Sequence, residues 1–273
     1  MNIKYSVLMS IYYKEKAEYL EECLNSLINQ TIPANEWIIV KDGPLTEELE
    51  SVLNKFDNQY PNLIKYVILK ENKGLGLALR AGVIACSNEL IARMDTDDIC
   101  VPTRMKEQLY EFEKDSKLDI CGSNIKEFEG NIENVISLRN VPTNNEAIRK
   151  YQKRRSAFNH MTVMYKKSAV LSAGNYEHLP LMEDDMLWIR MLLINCKAQN
   201  IDKYLVYART GEDMIKRRGG FSYLKKYINA RKKIYKTGYI SFWDYCLTLA
   251  IQSIVALVPS KLRIVIFKKG LRE

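Results

Sequence analysis

Along the front of the chain the apolar positions switch repeatedly between a strand-like pattern and a period near 3.6. Residues 5–11 (YSVLMSI) form a strand pattern, and residues 19–28 place Leu20, Cys23, Leu24, Leu27 and Ile28 on one helical face. A short buried-type strand over 37–40 ends in Lys41-Asp42-Gly43-Pro44, which is turn chemistry. Thr46 is a candidate N-cap for an amphipathic helix carrying Leu49, Val52, Leu53 and Phe56. A strand over 63–69, a helix over 75–85, a strand over 90–94 and a helix over 103–112 complete the series. Four βα units in a row predict an α/β fold, a Rossmann-like, mostly parallel sheet with helices on both faces. In such sheets ligands bind at the carboxyl ends of the strands. That directs attention to residues 12–16, 41–44, 72–76 and 95–100.

Beyond Cys121 the pattern is mixed. Strands are expected over 121–127, 135–139, 162–165 and 205–207, and helices over 146–153 and 186–194. The tail carries a basic helix over 223–236 and an apolar one over 242–258, stopped by Pro259. The last holds Asp244 and Gln252, and a membrane span normally needs roughly 20 apolar residues. It is therefore expected to pack or to lie in a membrane interface.

Charge sharpens that picture. From Lys203 onward there are 16 Lys/Arg against 4 Asp/Glu, leaving 25 basic and 29 acidic residues before it. A basic back on a mildly acidic front points to an anionic partner: lipid headgroups, substrate phosphates or nucleic acid. The aromatic residues of the tail fall at helical spacing, which argues against base stacking. The six cysteines are scattered among apolar neighbours, as in a reduced cytosolic protein. The start has no cationic stretch, apolar run and cleavage site, so no secretory signal is expected.

Candidate chemistry gathers where the strands end. Asp95-Thr96-Asp97-Asp98 follows a buried-type strand. Its crowded carboxylates suit a hard divalent cation or sugar hydroxyls, or else an exposed acidic turn. Asp42 can accept from a nucleobase N–H or a ribose hydroxyl, or simply form its turn. Asn72-Lys73-Gly74-Leu75-Gly76, with Arg80 one turn later, is either a phosphate-binding helix start or a plain one. Glu183-Asp184-Asp185 either complements a helix dipole or supplies a general base. Arg209, Arg217 and Arg218, with Gly219-Gly220, suit phosphate oxygens or a solvated loop. His160 and His178 are too few and too far apart for a metal site.

Together these segments resemble the inverting family 2 glycosyltransferases of the GT-A fold. The motifs are residues 6–12 (SVLMSIY), Asp42-Gly43, the 72–76 turn, Asp95-Thr96-Asp97-Asp98, residues 160–176 (HMTVMYKKSAVLSAGNY) and Glu183-Asp184 with Leu187-Trp188. More narrowly, ARMDTDDI, FNHMTVMY and KRRGG are similar to bacterial exopolysaccharide and lipopolysaccharide enzymes of the amylovoran-biosynthesis type. The resemblance implies a GT-A domain over 1–220 (1–120 for the nucleotide-sugar, 121–220 for the acceptor) and a basic helical segment over 221–273. It implies that Ser10, Tyr12, Asp42, Asn72, Gly74, Arg80 and Asp95 line the nucleotide-sugar site. Asp97, with Asp95 and Asp98, would hold Mn²⁺ or Mg²⁺. Asp184 would be the base, supported by Glu183, and His160, Trp188, Arg217 and Arg218 would face the acceptor or diphosphate. The Gln-x-x-Arg-Trp motif and membrane helices of processive synthases are missing, so one sugar per encounter is expected. The implied partners are a nucleotide-sugar, a lipid-linked glycan acceptor and the inner leaflet of the plasma membrane, with no nucleic acid. A binding protein of the same fold without catalysis, or a nucleotidyltransferase, is the alternative.

Overall fold

The structure is a computed structural model that describes residues 3–211 and 219–259. Strands β1 (Tyr5–Ile11), β2 (Glu36–Asp42), β3 (Ile64–Leu69) and β4 (Leu90–Arg93) run parallel in the order β3-β2-β1-β4. They alternate with helices α1 (Ala17–Ile28), α2 (Glu47–Gln59) and α3 (Leu75–Ala85), as the period changes predict. The Thr46 hydroxyl accepts from the Leu49 backbone N–H at 3.4 Å, so the expected N-cap of α2 is present.

Successive strand residues point to opposite faces, and this sorts the core into two layers. Tyr5, Val7, Met9 and Ile11 of β1 face α1, α2 and α4 (Arg104–Lys114). Leu8 faces α3 and, farther along, α7 (Glu183–Leu193). The approach of α3 is close: a Cβ on Gly82 would lie 2.3 Å from Leu8 Cδ1 and 2.8 Å from Val40 Cγ2.

The second half of the sheet is mixed. Strands β5 (Ile99–Cys100), β6 (Leu118–Phe128), β7 (Val135–Arg139), β8 (Met164–Lys166) and β9 (Lys197–Arg209) extend the order as β4-β8-β6-β9-β5, with β7 paired to β6. β8 is antiparallel to β4 and β6, while β6 and β9 are parallel. Three features depart from expectation. β9 spans 13 residues rather than three. Residues 160–162 form a 3-10 turn ahead of β8. β5 and the short helix α6 (Lys167–Ser172) were not legible in the sequence.

Helix α5 (Asn145–Tyr151) packs beside β9, and a hairpin of α8 (Phe221–Lys236) and α9 (Phe242–Leu257) closes the described chain. Met182, Met186 and Ile189 around α7 form a separate core with Ala230, Ile234 and Ile240. The hairpin therefore sits directly on α7. All six cysteines are free, as their apolar settings predict. Among the described residues no helix is long and apolar enough to cross a membrane.

Candidate active site

Strand register brings the first group of candidates together. Ser10 lies opposite Val40 and Ile11 opposite Lys41, while Leu8 lies opposite Arg93 on the other side of β1. Ser10, Tyr12, Asp42 and Asp95 thus share the carboxyl edge of three adjacent strands. Asp42 is the last residue of β2 and is buried. Its two carboxylate oxygens accept from the backbone N–H of Lys73 (2.7 Å) and of Gly74 (3.0 Å). The Asn72 side-chain amide donates to the Asp42 carbonyl at 3.3 Å. Asp42 therefore ties the turn ahead of α3 to the sheet edge.

Arg80 is placed differently from expectation. Its guanidinium donates to the carbonyls of Gly174 (3.1 Å) and Tyr176 (2.9 Å). It ties α3 to the loop before α7 instead of turning to the phosphate region. Gly76 serves the same junction: a Cβ there would fall 2.3 Å from the Glu177 carbonyl oxygen and 3.1 Å from Glu183 Cβ. The first turns of α3 and α7 are in contact because that residue has no side chain.

The acidic run divides by environment. Asp98 is buried, and its carboxylate accepts the backbone N–H of Arg209 at 2.7 Å. Arg209 also donates from Nε to the Asp97 carbonyl (3.0 Å) and pairs with Glu22. Its guanidinium stacks over Tyr19 at 3.8 Å. The phosphate role considered for Arg209 is thereby replaced by a structural one. Asp95 is partly exposed and paired with buried Arg93. Burial, with Asp95 beside it, pushes the Asp97 carboxyl up to about 6, and burial with Asp97 raises that of Asp98 well above the usual range.

Glu183, Asp184 and Asp185 form the first turn of α7, where the helix dipole favours negative charge. Asp185 is engaged, accepting from the Gln152 side chain at 2.7 Å. Burial, then Asp185 and Glu183, lift the Asp184 carboxyl well above the ordinary range. Burial also raises that of Glu183, whose Oε2 is buried without a partner.

Arg93 links the two clusters. Its charge acts on Asp97 and Asp98 on one side and on Glu183 and Asp184 on the other, and Asp95 acts directly on Glu183. Two of its nitrogens, Nε and Nη1, are buried without partners. Burial alone would push the Arg93 guanidinium toward neutrality, but Asp95 outweighs that. Sequence reasoning passed over this residue. The available signal was a cation inside an apolar strand immediately before an acidic run.

His160 feels the same guanidinium's charge, and burial with that charge pushes its pKa well down, which favours the neutral imidazole. Its Nε2 lies 3.0 Å from the Tyr176 hydroxyl. Trp188 requires a correction. It is fully buried, packed edge-on to His160 and Tyr176 and tilted against Phe158 and Tyr165. It supports the site from behind and cannot face an acceptor. Arg217 and Arg218 lie outside the described residues.

Among the described residues no three His, Cys, Asp or Glu side chains converge to cage a metal by themselves. Mg²⁺ and Mn²⁺ are commonly held by one or two carboxylates together with diphosphate oxygens and water, and Asp95 and Asp97 are donors of that kind. The mutual repulsion that raises Asp97 is what such a cation would relieve.

The family model "Glycosyl transferase family 2" matches residues 6–179, more than half of the chain and all of the strand-end candidates up to β8. The chain belongs to glycosyl transferase family 2. Two relatives show how far the likeness to this glycosyltransferase family runs. The chain is 38% identical over 270 residues (99% of the chain, 97% of the relative) to the Escherichia coli UDP-Gal:alpha-D-GlcNAc-diphosphoundecaprenol beta-1,3-galactosyltransferase. It is 37% identical over 268 residues (97% and 98%) to the amylovoran biosynthesis glycosyltransferase AmsE of Erwinia amylovora. The fold is also that of the mannosyltransferase PcManGT from Pyrobaculum calidifontis, solved with GDP-Man and Mn²⁺. That likeness has a TM-score of 0.64 at 13% identity, covering 96% of the chain and 72% of PcManGT. The sheet is thus the GT-A architecture, and the chain is a glycosyltransferase.

Proposed function

We propose that this family 2 glycosyltransferase moves a single sugar from a UDP-sugar to a lipid-linked glycan acceptor during bacterial surface polysaccharide synthesis, with inversion at the anomeric carbon. The observation that carries this reading is the pairing of two carboxylate clusters across Arg93. Arg93 acts on Asp97 on the strand-end side and on Asp184 on the α7 side, and Asp95 acts on Glu183, the residue before Asp184. The relative's acceptor, a GlcNAc-diphosphoundecaprenol, supports the lipid-linked class, and its UDP-Gal supports the donor class. The enzyme would meet that acceptor at the cytoplasmic leaflet through its basic C-terminal helices.

The residues divide the work. Asp42, held at the strand edge by two amides, would accept from the base, with Ser10 and Tyr12 beside it and with Asn72 and Gly74 fixing its position. Asp97, with Asp95 next to it, would hold Mn²⁺ or Mg²⁺, which when bound offsets the charge of the departing diphosphate. Asp98 holds the loop and is left out of the ligand set. Asp184 takes the proton from the acceptor hydroxyl as that oxygen attacks the anomeric carbon. The bond from that carbon to the diphosphate oxygen breaks, and UDP leaves with the electron pair. A carboxylate whose proton affinity burial has increased is the better base for this step. Neutral His160 lines the acceptor side without adding charge.

The test is a panel of nucleotide-sugars with Mn²⁺, scored first by thermal stabilisation and then by transfer to a sugar–diphosphate–lipid. A rise in melting temperature with UDP-sugars, and a product of opposite anomeric configuration, is expected. Full transfer in excess EDTA, or retention of configuration, contradicts the metal or the inverting assignment respectively.

A further inference from the structure

Helix α9 packs inside out. Its inward residues include Asp244, Thr248, Val255 and Ala256. Phe242, Trp243, Leu247, Ile251, Ile254 and Leu257 face outward and are 42–78% exposed. The polar inward side is fully used. Asp244 pairs with Arg154 at 2.6 Å and closes a capping box with Ser241, and the Thr248 hydroxyl donates to the Asp244 carbonyl at 2.8 Å. Residues 243, 247, 251 and 254 follow the four- and three-residue steps that align side chains along one helical face. A soluble helix normally turns that face to the core; here it faces away.

The stripe continues onto α8. The Gly220 N–H donates to the Ala256 carbonyl at 2.9 Å, which sets Phe221, 80% exposed, beside the end of α9. At the other end Tyr235 stacks on Tyr245 at 5.2 Å and meets Phe242 edge-on. Lys225, Lys226, Lys232, Lys233 and Lys236 of α8 are exposed, and α8 carries no acidic residue. The hairpin's acid among the described residues, Asp244, is neutralised by Arg154.

We infer that the outward face of the α8–α9 hairpin inserts into an anionic lipid surface, with Trp243, Leu247, Ile251 and Ile254 entering the apolar boundary and the α8 lysines at the headgroups. The charge decides the occupant. A second copy would bring five more lysines against these five, whereas an anionic leaflet complements them. The inference deepens the membrane-acceptor reading above and rests on it for its purpose. It differs in assigning binding to insertion, beyond basic attraction. The location gives it consequence: α8 packs on α7 through Met182, Met186 and Ile189, so the depth of docking sets the height of Asp184 above the bilayer.

Tryptophan fluorescence of the full chain reads this directly. Trp37 and Trp188 are buried at 1% and 0% exposure, while Trp243 is 78% exposed, so a change on lipid addition reports Trp243. Phosphatidylglycerol–phosphatidylcholine vesicles are expected to shift the emission to the blue, and Trp243→Phe should abolish the shift while vesicle binding continues. The triple variant Leu247→Ser, Ile251→Ser, Ile254→Ser should lose roughly tenfold or more in vesicle affinity. Its melting temperature and transfer to a short water-soluble acceptor should not change. Part of the shift should persist at about 0.5 M salt, where purely electrostatic attraction is screened. No blue shift, equal vesicle affinity of the triple variant, or a wild-type dimer that ignores vesicles and becomes monomeric in the triple variant would each overturn the inference. Failed docking with intact transfer to the soluble acceptor leaves the transferase reading standing. Normal docking with no transfer to any acceptor supports this surface and removes that reading.

Discussion

The backbone N–H of Arg209, at the end of β9, donates to the carboxylate of Asp98 at 2.7 Å across 111 positions of sequence. The same residue reaches the Asp97 carbonyl with its Nε, so the acidic loop is held from one side at two successive residues. The Asp98 carboxylate is thereby engaged inside the fold, while the Asp97 side chain is not what Arg209 binds.

The variants Asp98→Ala and Asp97→Asn should therefore fail differently. Asp98→Ala leaves the part-buried Arg209 N–H without its acceptor and should cost about 1–3 kcal/mol of stability. Asp97→Asn should stay within about 0.5 kcal/mol of wild type and lose Mn²⁺-dependent transfer. Denaturant unfolding run beside the transfer assay separates them, and the reverse assignment of defects would transfer the ligand role to Asp98.

Arg93 should prove essential for a reason other than substrate contact, since it is 1% exposed. Arg93→Met removes a cation that acts on both carboxylate clusters, and loss of its pair with the partly exposed Asp95 should cost about 3 kcal/mol. Loss of a nearby positive charge raises a carboxyl pKa. The acid limb of kcat should then move to higher pH as Asp184 becomes harder to ionise. Arg93→Lys, which keeps the charge, should restore part of the activity and move the limb back. An unshifted limb in Arg93→Met would limit the residue to scaffolding.

The sequence made the front of the fold legible because its elements announce themselves locally. β1 and α3 fall on residues 5–11 and 75–85 as their apolar periods predict. β9 is longer than its pattern predicts because its first residues, KAQNIDKY, carry no alternation; pairing with β6, which is buried along nearly its whole length, makes them a strand. The strand-end rule located Asp42 and Asp95, yet it could not rank Asp97 against Asp98. Three carboxylates in four residues have no period, and the partner that sets Asp98 apart lies 111 residues later. Arg80 misled for a related reason. A cation one turn into a glycine-led helix resembles a phosphate contact, until carbonyls 94 and 96 residues away claim it. The apolar content of 242–258 was legible; the side on which it lies was not.

Glu36, at the opposite end of the sheet from the cleft, should set part of the acid stability. It is buried and accepts from Ser6 Oγ (2.6 Å), Lys65 Nζ (2.7 Å), the Ser87 N–H (2.5 Å) and Ser87 Oγ (3.0 Å). Burial raises its pKa, but these bonds outweigh it and hold the carboxyl down at about 2, against an ordinary 4.5. A depressed folded-state pKa gives stability that is complete above the unfolded value and lost as pH falls toward the folded one. The contribution, about 3 kcal/mol, should therefore disappear between about pH 5 and pH 2. Glu36→Gln should remove it at neutral pH and converge with wild type at the acid end. Parallel stability curves for the two proteins across that range would contradict the network.

Asp184 and Asp185 adjoin each other in the first turn of α7, and their variants should separate base from neighbour. Asp184→Asn keeps the shape and removes the proton acceptor. Turnover should drop by roughly 10²–10⁴-fold, the usual worth of a positioned base, with donor affinity unchanged in the same preparation. Asp185→Asn can still accept from Gln152 through its amide oxygen, so the fold should hold. It also removes the largest charge contribution to the raised Asp184 pKa. With that negative neighbour gone, Asp184 ionises more readily, its pKa falls, and the acid limb of the rate profile should move to lower pH. The two variants thus make opposite demands on one side chain: abolish it and the chemistry stops, relax it and the chemistry extends into acid. A profile unmoved in Asp185→Asn, or full turnover in Asp184→Asn, would place the base elsewhere, and Glu183, whose Oε2 is buried and unpartnered, is the carboxylate that would then have to be tested in its place.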